Sequence, residues 1–355
     1  MRKVAILTGP ATHLDHLGVL SSVLNIPLIV TEAHTFKLAR EFYPDFNIQL
    51  AEMRDLSFAH LAEHYDAIFE SGKFWQAELS PFLELLHHKK MRFVFCPHGN
   101  SDKGHSLQDH TKQDLSLVYG DHLHDLLKFN GAIHHIAHIV ATGNYRLLYY
   151  RKHQEFYDAL AETRVFCRFN ERKSILFYAP TWQDRENASS FFSNVEEWVE
   201  LLSHNFNVLI KLHPFLIEDH PAQVFYAMSR FENHPSVLFV DDFPAIYPLL
   251  NRSDVYLGDF SSIGYDFLAF DRPLFFLQET HPTSSYRSPL TACGETLSTT
   301  QLHGLPRRVA QAEQYAEARR QTYQYAFGSE KDLNVLRLEI FNQLMEGAPS
   351  PSRGC

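Results

Sequence analysis

Short apolar runs separated by helix-length spacers set the rhythm of the chain. In the first half they fall at 3–7 (KVAIL), 27–30 (PLIV), 66–70 (DAIFE), 92–96 (RFVFC), 115–119 (LSLVY) and 138–142 (HIVAT). In the second half they fall at 174–179 (SILFYA), 207–212 (NVLIKL), 236–240 (SVLFV), 254–258 (DVYLG) and 273–277 (PLFFL). Consecutive rather than alternating apolar positions predict strands buried on both faces, and strands alternating with helices predict parallel sheets. Among the spacers, 194–204 (NVEEWVELLSH) puts Val195, Trp198, Val199, Leu201 and Leu202 on one helical face. The stretch 74–90 (FWQAELSPFLELLHHKK) reads as a helix interrupted by Pro81.

Two such series predict an α/β chain of two doubly wound, Rossmann-like domains, at 1–165 and 173–328. The polar stretch 162–173 (ETRVFCRFNERK) is the expected join. A terminal helix is predicted at 329–347, with Ser329 as cap, Asp332 three residues on, and a stripe of Leu333, Leu336, Ile340, Phe341 and Leu344. The tail 348–355 (APSPSRGC) is expected to be disordered. No internal repeat is evident.

Composition narrows the class. A length of 355 residues suits two domains, and 45% apolar with 21% charged residues is a globular balance. A formal charge of −10 argues against a nucleic-acid partner. His110, His122, His124, His134, His135 and His138 lack the paired spacing of a zinc cage, and most read as surface residues; neither metal nor cofactor is expected. Cys96, Cys167, Cys293 and Cys355 stand far apart, which fits a reduced cytoplasm. With no apolar run approaching 18 residues, the expectation is a soluble or at most peripheral protein. The basic cluster 87–92 (HHKKMR) reads as a solvated helix end, with anionic lipid contact as the other reading.

In open parallel sheets, ligands bind at the carboxyl ends of the strands. The unusual residues of this chain gather there: Pro97-His98-Gly99 after 92–96, Gly143-Asn144-Tyr145-Arg146 after 138–142, and Pro180-Thr181-Trp182 after 174–179. His213-Pro214 follows 207–212, and Asp259-Phe260-Ser261-Ser262 follows 254–258. Ser261 and Ser262 would open a helix, where unpaired N–H groups and a positive dipole accept a phosphate, or they are a plain serine cap. Asp266, one turn further, would hold a ligand hydroxyl or face water. His98 and His213 are each either satisfied structural histidines or imidazoles on the two walls of a central cleft. No G-x-G-x-x-G, P-loop, H-E-x-x-H or nucleophile-elbow motif falls where it would be needed.

The motifs HGNSDK, TGNYR, FYAPTW, KLHP and DFSSIGYDFLAFDRPLFF, in that order over about residues 90 to 280, resemble the CDP-glycerol glycerophosphotransferases, the primases and polymerases of teichoic-acid-type polymers. The last block is the most specific, because its serine pair, aspartate, aromatic and Asp-Arg-Pro keep their spacing. The resemblance implies a GT-B arrangement with two domains facing a cleft. It implies transfer of glycerol phosphate, or a related alditol or sugar phosphate, from a CDP-linked donor to the hydroxyl of a polyol- or glycan-bearing acceptor, either free or lipid-linked. CMP leaves; the expected setting is the cytoplasm, either free or peripheral on the cytoplasmic face of the membrane. It further implies that His98 is the general base and that His213 binds or protonates the phosphate. Ser261 and Ser262 would hold the pyrophosphate, with Thr181 near the nucleotide and Lys103 offsetting phosphate charge. Gly143, Arg146, Asp259 and Asp266 complete the expected substrate-binding set. The chain departs from the family pattern at Asn100-Ser101-Asp102, where Thr-Pro-Leu is usual, at Tyr145, where proline is usual, and at Gln183, where a basic residue is often found.

Two other readings use the same residues. One is a different GT-B enzyme, a sugar-nucleotide glycosyltransferase or a 2-epimerase of the UDP-N-acetylglucosamine type. The other is a non-catalytic nucleotide- or partner-binding member, favoured by the altered first motif. The N-terminal stretch 11–34 (ATHLDHLGVLSSVLNIPLIVTEAH) is expected, from position alone, to serve the acceptor.

Overall fold

The structure, a computed structural model, describes residues 1–72, 75–184, 189–277 and 286–346, with side chains left out at 105 and 106. The expected disordered tail lies outside these residues. Two compact units emerge. The first comprises Met1–His98, Gly104–Tyr149 and the chain from Phe327 onward; the second comprises Gly99–Lys103 and Tyr150–Ala326.

The first unit is built on seven parallel strands: β1 (Lys3–Leu7), β2 (Leu28–Val30), β3 (Ile48–Leu50), β4 (Ala67–Glu70), β5 (Arg92–Phe95), β6 (Leu115–Val118) and β7 (Ile139–Ala141). Their order is β3-β2-β1-β4-β5-β6-β7. The second unit holds β8 (Ser174–Ala179), β9 (Phe206–Ile210), β10 (Val237–Phe239), β11 (Val255–Gly258), β12 (Leu274–Leu277) and β13 (Glu295–Leu297), in the order β10-β9-β8-β11-β12-β13. Both follow the Rossmann pattern, in which the chain builds outward from the first strand to the third and then returns to the other side of the first. The switch points therefore fall between β1 and β4, and between β8 and β11.

The inner strands form because their Val, Ile, Leu and Phe side chains are shielded on both faces. All of β4, β5, β9 and β12 is buried, and each fully buried aliphatic or Phe side chain contributes about 1.5–3 kcal/mol. Every strand predicted from an apolar run is present. Two more are not visible in the sequence: β3 (IQL) is largely exposed, and β13 (ETL) buries only Leu297. Each is the outermost strand of its sheet, so one side of its ladder is unpaired and apolar patterning is weak.

Several expectations are corrected. The second unit begins at Tyr150, so helix Gln154–Arg164 and the polar stretch 162–173 belong inside it rather than ending the first domain. The terminal helix is Leu333–Glu346, and its cap is Asp332, whose carboxylate accepts from the Asn334 and Val335 amides. It belongs to the first unit, burying Leu336, Ile340 and Leu344, and Lys3 Nζ lies 3.8 Å from the Phe341 ring centroid. Helix Val195–Ser203 buries Val195, Trp198, Val199 and Leu202, whereas Leu201 faces outward because it falls off the i, i+3, i+4, i+7 stripe. Pro81 lies inside helix Trp75–His87 without ending it.

Candidate active site

The first unit presents imidazoles at its switch point. His98 follows β5 and is exposed, while His13 sits on the turn Ala11–Asp15 that follows β1. Their rings stack with centroids 4.7 Å apart at 26°. Gly72, just past β4 with φ +77°, closes the group: a Cβ there would meet His13 Cε1 at 2.9 Å.

The strand tip carrying His98 is braced from below. Tyr119 donates its phenolic hydrogen to the Pro97 carbonyl at 3.0 Å and lies 2.9 Å from His16 Nδ1. A hydroxyl has one hydrogen, so Tyr119 accepts from His16, which fixes the Nδ1–H tautomer. Burial holds His16 neutral, well below the ordinary histidine range, reinforced by the charge of Arg146 and by repulsion from the neighbouring imidazoles of His13 and His98. Tyr145 fills the adjoining space, donating to the His16 carbonyl at 3.2 Å and stacking on Tyr119. A tyrosine at this position thus supports the histidine turn.

Arg146 is not open to a ligand. Only 3% exposed, it donates from Nε to the Asp15 carbonyl at 2.9 Å and pairs with the Asp15 carboxylate at 2.5 Å. It ties the helix Tyr145–Lys152 to the histidine turn, so its role is positioning rather than the substrate contact expected. Gly143 is required by its own backbone, at φ +66°, where its N–H donates to the Tyr119 carbonyl. Two of the histidines read as surface residues, His110 and His122, are buried; His110 Nδ1 bonds the Ser116 hydroxyl.

The second unit arranges its hydroxyls around the switch between β8 and β11. Asp259, at the tip of β11, accepts from the Thr181 amide at 2.7 Å and from the Ser190 amide at 3.3 Å. Its carboxylate shapes two loops, a scaffold role in place of the predicted ligand contact. Asp266 is likewise buried, accepting from Tyr247 at 2.9 Å, and so neither faces water nor presents itself to a ligand hydroxyl. Ser261 stands at the N-cap of helix Ser262–Phe267 but makes no side-chain cap; its Oγ lies 3.3 Å from the Tyr256 hydroxyl. The plain serine-cap reading is therefore excluded. Both serines remain partly accessible.

His213 caps helix Pro214–Asp219, its Nδ1 accepting from the Phe215 amide at 3.2 Å. That bond assigns the proton of the neutral ring to Nε2, making His213 a donor there. Its ring stacks on Trp182 at 5.9 Å.

The segment Gly99–Lys103 belongs to this second unit, and the departures from the family pattern acquire partners in it. Asp102 accepts from the Tyr265 hydroxyl at 2.7 Å, and Asn100 donates to the Ala326 carbonyl at 3.2 Å. Lys103 Nζ reaches the Asp184 carboxylate at 2.5 Å and Thr181 Oγ1 at 3.2 Å. Gly99, at φ +145°, abuts the serine helix: a Cβ on it would lie 2.7 Å from the Ser262 Cβ. The aspartate of the Asp-Arg-Pro sequence, Asp271, pairs with the buried Arg319 at 2.7 Å.

The sequence pointed to His98, His213, Thr181 and the serine pair, but not to His13, His16, Asp15 or Tyr119. The signal for the histidines was present: ATHLDH follows the first strand, and strand-tip logic applies to it as well as to His98.

Two Rossmann-like sheets, each with polar side chains at its switch point, define a GT-B-like α/β protein. A family profile described as CDP-glycerol:poly(glycerophosphate) glycerophosphotransferase matches residues 99–287, more than half of the chain, and the chain belongs to that family. It is 28% identical over 148 residues to a teichoic acid glycerol-phosphate transferase of Staphylococcus aureus, covering 39% of this chain and 34% of the relative. It is 29% identical over 105 residues to a teichoic acid glycerol-phosphate primase of Bacillus spizizenii, covering 29% of this chain and 25% of the relative. The matches thus span about a third and a quarter of these curated relatives. Among solved structures, the wall teichoic acid polymerase TagF superimposes with a TM-score of 0.68 at 15% identity, covering 97% of this chain and 89% of that one, a likeness of fold.

Proposed function

We propose that this protein transfers glycerol phosphate from a CDP-linked donor to an acceptor hydroxyl in the synthesis of a cell-envelope polymer. The acceptor oxygen attacks the phosphorus that carries glycerol, the bond from that phosphorus to the bridging oxygen breaks, and CMP leaves with the bridging oxygen. His98 takes the acceptor proton. His213 donates from Nε2–H to a phosphate oxygen. Ser261 and Ser262 hold the pyrophosphate, and Lys103 and Thr181 serve the nucleotide side. Arg146, Gly143, Asp259 and Asp266 position these groups. Such a reaction depends mainly on orientation and charge stabilisation, and one placed base contributes about 10²- to 10⁴-fold.

The observation that carries this reading is the helix Ser262–Phe267, which begins with two accessible serines and no side-chain cap. A helix start without a side-chain acceptor has N–H donors to offer an anion. Family membership supplies the nature of that anion. The acceptor class, polyol- or glycan-bearing, and the cytoplasmic setting belong to the same proposal.

Peripheral membrane contact is supported by one face of the first unit. Phe82, Leu85 and Leu86 on helix Trp75–His87 are 49%, 76% and 64% exposed, and the basic run His87-His88-Lys89-Lys90 follows them. Apolar side chains beside cationic ones suit an anionic lipid surface. Among the described residues no helix is long and apolar enough to cross a membrane.

The test is CMP release from CDP-glycerol in the presence of a glycerol-phosphate oligomer, with His98→Ala as control. Release by the native chain and not by the variant supports the proposal. No release by the native chain, together with no thermal stabilisation by CDP-glycerol, overturns it. Sedimentation with vesicles containing anionic lipid, lost on Leu85→Glu with Leu86→Glu, tests the membrane contact.

A further inference from the structure

We propose that His13 is a positioning residue for His98: its ring fixes the plane of the His98 imidazole, and a charge on either ring excludes charge on the other. The inference rests on the reading of His98 as the base. Proton abstraction by an imidazole needs one ring direction, and a ring stacked on it restrains that direction. The stack at 4.7 Å supplies that restraint. The surroundings are shaped to admit two rings, since Gly72 has no side chain where a Cβ would strike His13 at 2.9 Å.

Two stacked imidazoles cannot both be cationic without strong repulsion, so the pair holds one proton at most near neutrality. Electrostatic interaction reaches the pair from His16 and His110, while Glu70, Cys96 and the ion pair of Asp15 with Arg146 lie on the adjoining strand ends and turn. His16 and His110 are kept neutral by burial, His110 down to about 3. Burial pushes the Glu70 carboxyl up to about 8 and the Cys96 thiol to about 12. A change of charge on the pair is therefore not accompanied by one on His16 or His110.

The experiment compares the full chain with His13→Ala and His13→Phe, measuring kcat and KM for CDP-glycerol, and follows the His98 ring by NMR from pH 4.5 to 7, below the value of about 8 at which Glu70 loses its proton. His13→Ala lowers kcat tenfold or more with KM changed less than twofold, and His13→Phe, which retains a stacked ring, restores most of the lost kcat. The His98 resonance shifts in two steps in the native chain and in one step in both variants. Unchanged kcat in His13→Ala, or no rescue by His13→Phe, overturns the orienting role. A single-step titration in the native chain overturns the charge exclusion. The titration needs no turnover: two steps in a native chain that releases no CMP would sink the transfer reading while sustaining the pair.

Discussion

Gly99 and Ser262 approach so closely that a Cβ on the glycine would lie 2.7 Å from the serine Cβ and 2.8 Å from its hydroxyl. With φ at +145°, Gly99 also occupies backbone space that other residues rarely enter. Steric and backbone requirements thus coincide on the residue that follows His98, and the glycine of the first motif is explained without any ligand.

Gly99→Ala should accordingly combine backbone strain of about 1–3 kcal/mol with displacement of the serine helix. The expected outcome is a lower thermal midpoint and weaker stabilisation by CDP-glycerol. A variant with native stability and native donor binding would show that the close approach is not needed.

Ser261→Ala with Ser262→Ala should weaken donor binding before it affects folding. Ser261 does not cap its helix, so the stability lost when a capping serine is removed, about 1 kcal/mol, is not expected here. Calorimetric titration with CDP-glycerol should show affinity reduced tenfold or more at a nearly unchanged melting temperature. A large stability loss with intact affinity would return the serines to a structural role.

Acid should destabilise the first unit through His110. Its folded-state value is lowered to about 3 by burial, so the unfolded chain binds the proton first. Stability from this group is complete above the unfolded value of about 6.5 and falls as pH drops below it, by about 2 kcal/mol at pH 5. His110→Asn should lessen the acid dependence of denaturant unfolding between pH 7 and 5. An identical slope in native and variant chains would contradict the burial argument.

Glu70 should act in the opposite direction. Burial raises its carboxyl to about 8, against hydrogen bonds from Gln113 and from the Trp75 and Gln76 amides that favour the charged form. The folded chain then holds a proton that the unfolded chain has released above about pH 4.5, so this group lowers stability progressively from pH 4.5 to 8. Glu70→Gln should stabilise the protein by about 3 kcal/mol near pH 7 and have little effect near pH 4.5. A stabilisation that does not vary with pH would mean the carboxyl is already charged in the fold.

What the sequence determined by itself was the alternation of buried strands and helices, and with it two parallel sheets with their polar residues at the carboxyl ends. Continuous apolar runs such as FYA at 177–179 or FFL at 275–277 have few alternatives to a strand covered on both faces. The serine pair and the two strand-tip histidines were legible for the same reason, because strand ends place them. Edge strands β3 and β13 were not legible, since a strand paired on one side and largely exposed leaves no apolar signature. The partners of Arg146, Asp259 and Asp266 were equally hidden: a charged side chain looks the same in sequence whether it meets a ligand or a residue 131 positions away, as Arg146 meets Asp15. Only tertiary structure decided which of these polar groups remained accessible and which were consumed in holding the loops, because burial and pairing are properties of segments brought together by folding.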